Sequence, residues 1–317
     1  MLIVDGHCDT LWAARREKRD WTQHSVMGHA DLPRMIAAGV NIQFFALFSD
    51  PDHRVPGYAL RALEMIESFY AGIEKAAQNG LPVGVIKTRE DVDRAEGGFW
   101  GLLAIEGGEV IDRSLDALFA FYRLGVRAMG LVWNYGNALA DGVMTRGGRG
   151  GLTPFGKQVV KAMWEMGMVV DVSHLSEAGF WDLVRMGGGP IVATHSNARG
   201  LCDHPRNLTD DQIRAIADTG GVIGVNFYPP FLTSSGRASI DDIARHIEHI
   251  ATVGGAACVG LGSDFDGFDT PPLGMEDVRR LPDLVPLLRQ RGCSDGEIAA
   301  VMGGNWARLL KRVLPPE

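Results

Sequence analysis

The chain has 317 residues, 46% of them apolar and 22% charged, with a net charge of −8. That apolar share excludes a disordered chain. The acidic balance argues against nucleic acid or an anionic membrane as partner, since both call for a basic patch. Roughly 150 residues per domain would make two domains, but α/β barrels routinely exceed that size as one unit.

The N-terminus reads Met1-Leu2-Ile3-Val4-Asp5-Gly6-His7, without the basic and long apolar regions of a secretory signal. Apolar runs fall well short of the ~18 residues a membrane span needs, so the expected location is cytoplasmic. Cys8, Cys202, Cys258 and Cys293 lack CxxC spacing and read as small hydrophobes rather than a disulfide scaffold or zinc ribbon.

In chain order, apolar runs at residues 2–5, 40–48, 101–105, 126–132, 168–172, 190–194, 222–226 and 258–262 read as strands. A further run at 83–86 reads as accessory, because Pro82 and Gly84 interrupt it. Helix starts lie between them. Thr153-Pro154 places an N-cap before a proline at the first helical position. Ser239 precedes Asp241 and Asp242, an N-cap with acids in the first turn. Thr209 with Gln212, and Ser294 with Glu297, fit the capping box. Strands alternating with helices imply a parallel sheet. Without a dinucleotide glycine fingerprint, the pattern predicts an α/β fold, a closed (β/α)8 TIM barrel formed by residues 1–317 as one domain.

Polar residues gather where the strands end. The strings are Asp5-Gly6-His7-Cys8-Asp9-Thr10, Ile105-Glu106-Gly107-Gly108, Asp171-Val172-Ser173-His174, Ala193-Thr194-His195-Ser196 and Gly262-Ser263-Asp264-Phe265-Asp266-Gly267. In a parallel barrel these ends share one face, where barrel active sites sit. Imidazoles and carboxylates are ligands of Zn²⁺ and similar ions. His7 and Asp9, at i and i+2 on extended chain, point the same way and can grip one ion; His174 and His195 can grip a second. Glu106 lies between these pairs in strand order, and its two oxygens can bridge ions about 3.5–4 Å apart. Asp5 reads as support for a ligand and Asp266 as a loop-turn acid. His246 and His249 in a helix, and His24, His29, His53 and His204 in loops, read as solvated or locally bonded. Residues 21–29 are a candidate lid.

These strings, with Pro205-Arg206-Asn207, resemble in order and over nearly the whole chain the membrane (renal) dipeptidase family of zinc peptidases. The resemblance implies a TIM barrel with two divalent metal ions, zinc by preference. His7 and Asp9 would hold one ion, His174 and His195 the other, and Glu106 would bridge. It further implies hydrolysis of dipeptides with a free C-terminal carboxylate, tolerance of a D-residue at that end, and a homodimer. Arg206 matches the position that binds the substrate carboxylate, and Asp264 the position that handles the proton. Where the family carries a substrate-binding histidine, this chain has Trp133, followed by Asn134. An indole N–H donates a hydrogen bond but cannot take a proton. The competing readings are another binuclear barrel hydrolase, acting on a lactone, cyclic amide or phosphoester, and a non-catalytic peptide-binding barrel.

Overall fold

The computed structural model describes residues 1–48, 57–147 and 150–317. Its strands are β1 (Val4–Cys8), β2 (Ile42–Phe48), β3 (Val83–Val85), β4 (Phe99–Glu106), β5 (Val126–Gly130), β6 (Val169–Asp171), β7 (Ile191–Val192), β8 (Ile223–Val225) and β9 (Val259–Leu261). All pairings are parallel, in the order β7-β6-β5-β4-β2-β1-β9-β8. The ring is joined between β7 and β8 by a bridge of Ala193 with Ile223, in which Ala193 N–H donates to the Val222 carbonyl at 3.0 Å.

The interrupted run at 83–86 is accessory, as its proline and glycine suggested. β3 pairs only with Phe99–Gly101 at the start of β4, and β5 takes over on that strand from Leu103 onward. The helices begin where their caps placed them. Thr153 accepts from Gly156 N–H, and Thr209 and Ser294 form capping boxes with Gln212 and Glu297. Ser239 N–H donates to Asp242 Oδ2 at 2.9 Å.

The period-two alternation of the strands sorts their side chains into two apolar sets. Ile42, Phe44, Leu102 and Ala104 cluster with Trp306, whereas Phe45, Leu47, Leu103 and Ile105 pack with the apolar faces of the helices. Trp306 donates its indole N–H to the Leu261 carbonyl at 2.9 Å. It fits because neighbouring strand positions are glycine: a Cβ on Gly6 would lie 2.6 Å from its ring. The parity of the Trp306 set continues up β2 and β4 to Phe48 and Glu106, which are register partners. Glu106 therefore enters the C-terminal mouth of the barrel because it shares the inward parity of Leu102 and Ala104.

Candidate metal centre and active-site cleft

A cleft of about 480 Å³ opens at that mouth. Asp9, Glu106, Trp133, His174, His195, Arg206 and Asp264 line it. The barrel thus brings together residues spread from 9 to 264. His7 does not line the cleft; its side chain lies beneath, 3% exposed.

Local backbone aims each group. His7 is the penultimate residue of β1, whose pairing with β2 shifts register between Asp5 and Cys8. Asp9 is not on extended chain as expected. It sits at φ −98°, ψ 18°, as the N-cap of the Thr10–Glu17 helix, yet its side chain caps nothing. Its carboxylate therefore remains available to the site, and Oδ2 lies 3.5 Å from His7 Nε2. Glu106 ends β4, and Gly107, at φ +96°, turns the chain away. His174 and Asp264 adopt φ +67° and +64°, a region that non-glycine residues seldom occupy and that concentrates at functional sites.

Glu106 divides its oxygens. Oε2 lies 3.4 Å from His7 Nε2, while Oε1 lies 3.0 Å from His174 Nε2 and 3.5 Å from His195 Nε2. Asp264 Oδ1 is 3.9 Å from His7 Nε2. Candidate ligand atoms converge in two groups, His7–Glu106–His195 and His7–Asp9–Asp264. The first crosses the pairs expected from sequence, because the His7 and His195 rings lie only 3.8 Å apart.

The residues fit divalent cations. His7 Nε2 and Asp9 Oδ1 are buried with no hydrogen-bond partner, a costly arrangement for groups that do not bind something else. The donors are imidazole nitrogens and carboxylate oxygens, a set that Zn²⁺ and similar divalent ions accept. Electrostatics agree. Burial opposes ionisation of Glu106, but His7 and His174 outweigh it and hold the carboxyl well below its usual range. Burial, aided by Arg206, drives His174 down to about 3, against the pull of Glu106, so the imidazole is a neutral ligand. Burial likewise keeps His195 well below its usual value, with His7, Arg206 and His174 adding to the effect. Burial would lower His7 as well, yet Glu106 and Asp9 raise it well above its ordinary value. The carboxylates thus attract positive charge to this spot.

Arg206 is buried against the barrel mouth. Its guanidinium donates to Ser196 Oγ at 3.2 Å and to the His195 carbonyl at 3.1 Å, while its buried Nε has no partner. Burial lowers its pKa to about 10 against the carboxylates of Asp264, Glu106 and Asp171, so it stays charged. Trp133 is half-buried between Phe48 and His174, with ring centroids 5.4 and 5.9 Å away.

Other expectations meet mixed outcomes. Asp5 touches no candidate ligand side chain. It accepts from Ser263 N–H and Oγ–H and from Gln43, and so steadies the chain entering Asp264. Asp266 is fully buried, paired with Arg19 at 2.8 Å and accepting from His29 N–H. That contact and the buried Trp21 anchor both ends of 21–29, and none of its residues lines the cleft. His204 does line it, its ring tilted 41° to that of Phe231 with centroids 4.5 Å apart. His246 is buried, not solvated. His53 lies outside the described residues. Sequence reasoning passed over Asp171, Thr194 and Asn226, which bond to site residues rather than face the cleft. Their signal was adjacency: Asp171 and Thr194 fall inside the very strings that end in His174 and His195.

A parallel barrel with a carboxylate set between imidazoles at its C-terminal mouth defines a metal-dependent hydrolase of the TIM-barrel type. The comparisons narrow the class. The membrane dipeptidase (peptidase family M19) profile matches residues 1–314. An uncharacterized dipeptidase of Schizosaccharomyces pombe is 33% identical over 98% of this chain and 80% of its own length. The crystal structure of the M19 metallopeptidase called dipeptidase AC superposes with a TM-score of 0.90 at 33% identity, covering 99% of this chain and 98% of that one. A Rhodobacter sphaeroides metallopeptidase, solved with a phosphinate mimic of the dipeptide L-Ala-D-Ala, gives 0.89 at 31% identity, covering 99% of both chains. The chain belongs to the membrane dipeptidase family, M19, and is a metallo-dipeptidase. Among the described residues no helix is long and apolar enough to cross a membrane.

Proposed function

We propose that the protein hydrolyses dipeptides bearing a free C-terminal carboxylate, including those with a D-residue at that end, with two zinc ions in the cleft. His7 and Asp9 would hold one ion, His174 and His195 the other, and Glu106 would bridge them. The observation that carries this reading is the division of Glu106, with one oxygen toward His7 and the other toward His174 and His195. When bound, such ions supply Lewis acidity toward the scissile carbonyl and acidify the attacking water.

The chain's own residues do the rest. Arg206 presents a planar, permanently charged fork suited to a carboxylate. Phe231 lies 5.4 Å from the guanidinium and limits its movement. Asp264 takes a proton from the attacking water and returns it to the leaving amine. With no cation beside it, burial pushes its carboxyl up to about 8, with His7 pulling against the rise and Asp9 and Glu106 adding to it; cations held by those ligands would draw the value down toward the ionised form that a base needs. Trp133 offers its indole N–H to the substrate from beside His174, and takes no proton. Acceptance of a D-residue is supported by the Rhodobacter sphaeroides relative, which binds an L-Ala-D-Ala mimic.

A panel of L-Ala-L-Ala, L-Ala-D-Ala and their C-terminal amides tests the reading on zinc-loaded protein. Both free dipeptides should turn over, and the amides only far more slowly. Equal turnover of amides refutes the carboxylate requirement, and failure of L-Ala-D-Ala alone refutes the D-residue.

A further inference from the structure

We infer that Asn134 and the Thr194–Asp171 pair are positioning residues that set the tautomers of His174 and His195, so that both Nε2 lone pairs face the cleft before an ion arrives. The inference rests on the ligand roles proposed above for these two histidines.

Asp171 accepts three hydrogen bonds. Its Oδ1 takes the backbone N–H groups of Ser173 and Thr194, each at 2.9 Å, and its Oδ2 takes the Thr194 hydroxyl at 2.5 Å. A threonine hydroxyl has one proton, and here Asp171 holds it. Thr194 Oγ1 therefore turns a lone pair toward His195 Nδ1, 2.9 Å away, and that nitrogen carries the imidazole proton. His174 reaches the same state by another route. Its Nδ1 lies 2.7 Å from Asn134 Oδ1, which can only accept.

A neutral imidazole has one N–H, so both Nε2 atoms are bare. They stand 2.9 Å apart, and Glu106 Oε1 is 3.0 Å from one and 3.5 Å from the other. Three lone-pair atoms converge with no proton among them, an arrangement that repels itself until a cation enters. The main chain beside them is held in place: the Asn134 backbone carbonyl accepts from Met144 N–H at 2.8 Å, and the His195 backbone N–H donates to Ser173 Oγ at 3.2 Å. Such outer partners fix ring orientation and raise ligand basicity, and their loss commonly lowers metal affinity about 10–100-fold.

The test uses the full chain and zinc alone, titrated in competition with a chromogenic chelator. Thr194→Val keeps the shape but deletes the acceptor, and Asn134→Ala deletes the other. Each should weaken the more loosely held ion about 10–100-fold, whereas Thr194→Ser and Asn134→Asp, which keep an acceptor oxygen, should recover most of the loss. Nitrogen NMR of ¹⁵N-histidine-labelled, chelated protein gives an independent reading, with His174→Gln and His195→Gln assigning the signals. The wild type should show both imidazoles protonated at Nδ1. An Nε2–H tautomer at either ring overturns the inference, even if a variant fails to fold. So does unchanged affinity in Thr194→Val and Asn134→Ala while His195→Ala loses an ion. If His195→Ala itself binds zinc like the parent, the ligand assignment falls and takes this inference with it.

Discussion

Asn226 donates its side-chain N–H to Asp264 Oδ2 at 2.9 Å, which leaves Oδ1 of the same carboxylate facing His7 Nε2, 3.9 Å away. The amide cannot turn over. Its Oδ1 accepts from Tyr228 N–H at 2.6 Å, and its backbone N–H and carbonyl both pair with the Asn197 side chain. One Asp264 oxygen is thus restrained, and the other is the one available for the proton transfer proposed above.

Asp264→Asn removes the proton acceptor while keeping the shape. kcat/KM on a good dipeptide should fall about 10²–10⁴-fold, the usual contribution of a positioned acid–base group, with metal content unchanged. Near-normal turnover with both ions present would remove Asp264 from the proton path.

Glu106→Gln tests the bridge. An amide offers one oxygen and a nitrogen whose lone pair is not available, so it cannot serve ions on both sides. Metal analysis after exhaustive dialysis should find fewer than two ions per chain. Two ions retained at parental affinity would place the bridge elsewhere.

Arg206→Ala should harm substrates with a free carboxylate by about 10²–10³-fold in kcat/KM, within the ~2–5 kcal/mol that truncating one partner of a buried charge pair costs. C-terminal amides, already poor, should change little. An equal loss on both kinds of substrate would mean that Arg206 supports the barrel mouth rather than the substrate.

His246 links stability to pH at a distance from the chemistry. It is 1% exposed, its Nδ1 accepting from Ala198 N–H at 3.1 Å and its Nε2–H donating to the Leu232 carbonyl at 3.0 Å. A second proton would set N–H against N–H. Burial lowers its pKa to about 4, with the Leu232 bond opposing and His249 and Arg245 assisting. The unfolded chain titrates near ~6.5. The contribution is therefore complete above that value and is lost as pH falls toward 4, by up to about 3 kcal/mol. Denaturant unfolding of chelated protein at pH 7.5, 6 and 4.5 should show a shallower decline in His246→Gln than in the parent. Parallel declines would contradict the assignment.

The parts of the site that read clearly from sequence are those at strand ends. In a parallel barrel every strand delivers its last residues to one mouth, so His7, Glu106, His174, His195 and Asp264 needed only strand positions to be brought together. Asp9 shows where that logic thins. It meets His7 as expected, but from a helix N-cap rather than extended chain. The supporting contacts were less legible because they join residues whose spacing carries no period. Asn134 to His174 spans 40 positions, and Asp266 to His29 spans 237. His246, within a predicted helix, reads from sequence as solvated or locally bonded. Its burial depends on which face of the Ile240–Gly254 helix meets the Leu232 carbonyl, and a lone histidine does not announce that.

The central claim is that this chain cleaves dipeptides whose carboxylate Arg206 binds, with a pair of ions that the residues around Glu106 would hold. Its most direct test is metal analysis and hydrolysis of L-Ala-D-Ala and L-Ala-L-Ala on one zinc-loaded sample. The account predicts about two ions per chain, the number a carboxylate bridge can serve, with turnover of both dipeptides. Two ions bound with no turnover of either would contradict it, and would turn attention to Trp133 beside His174.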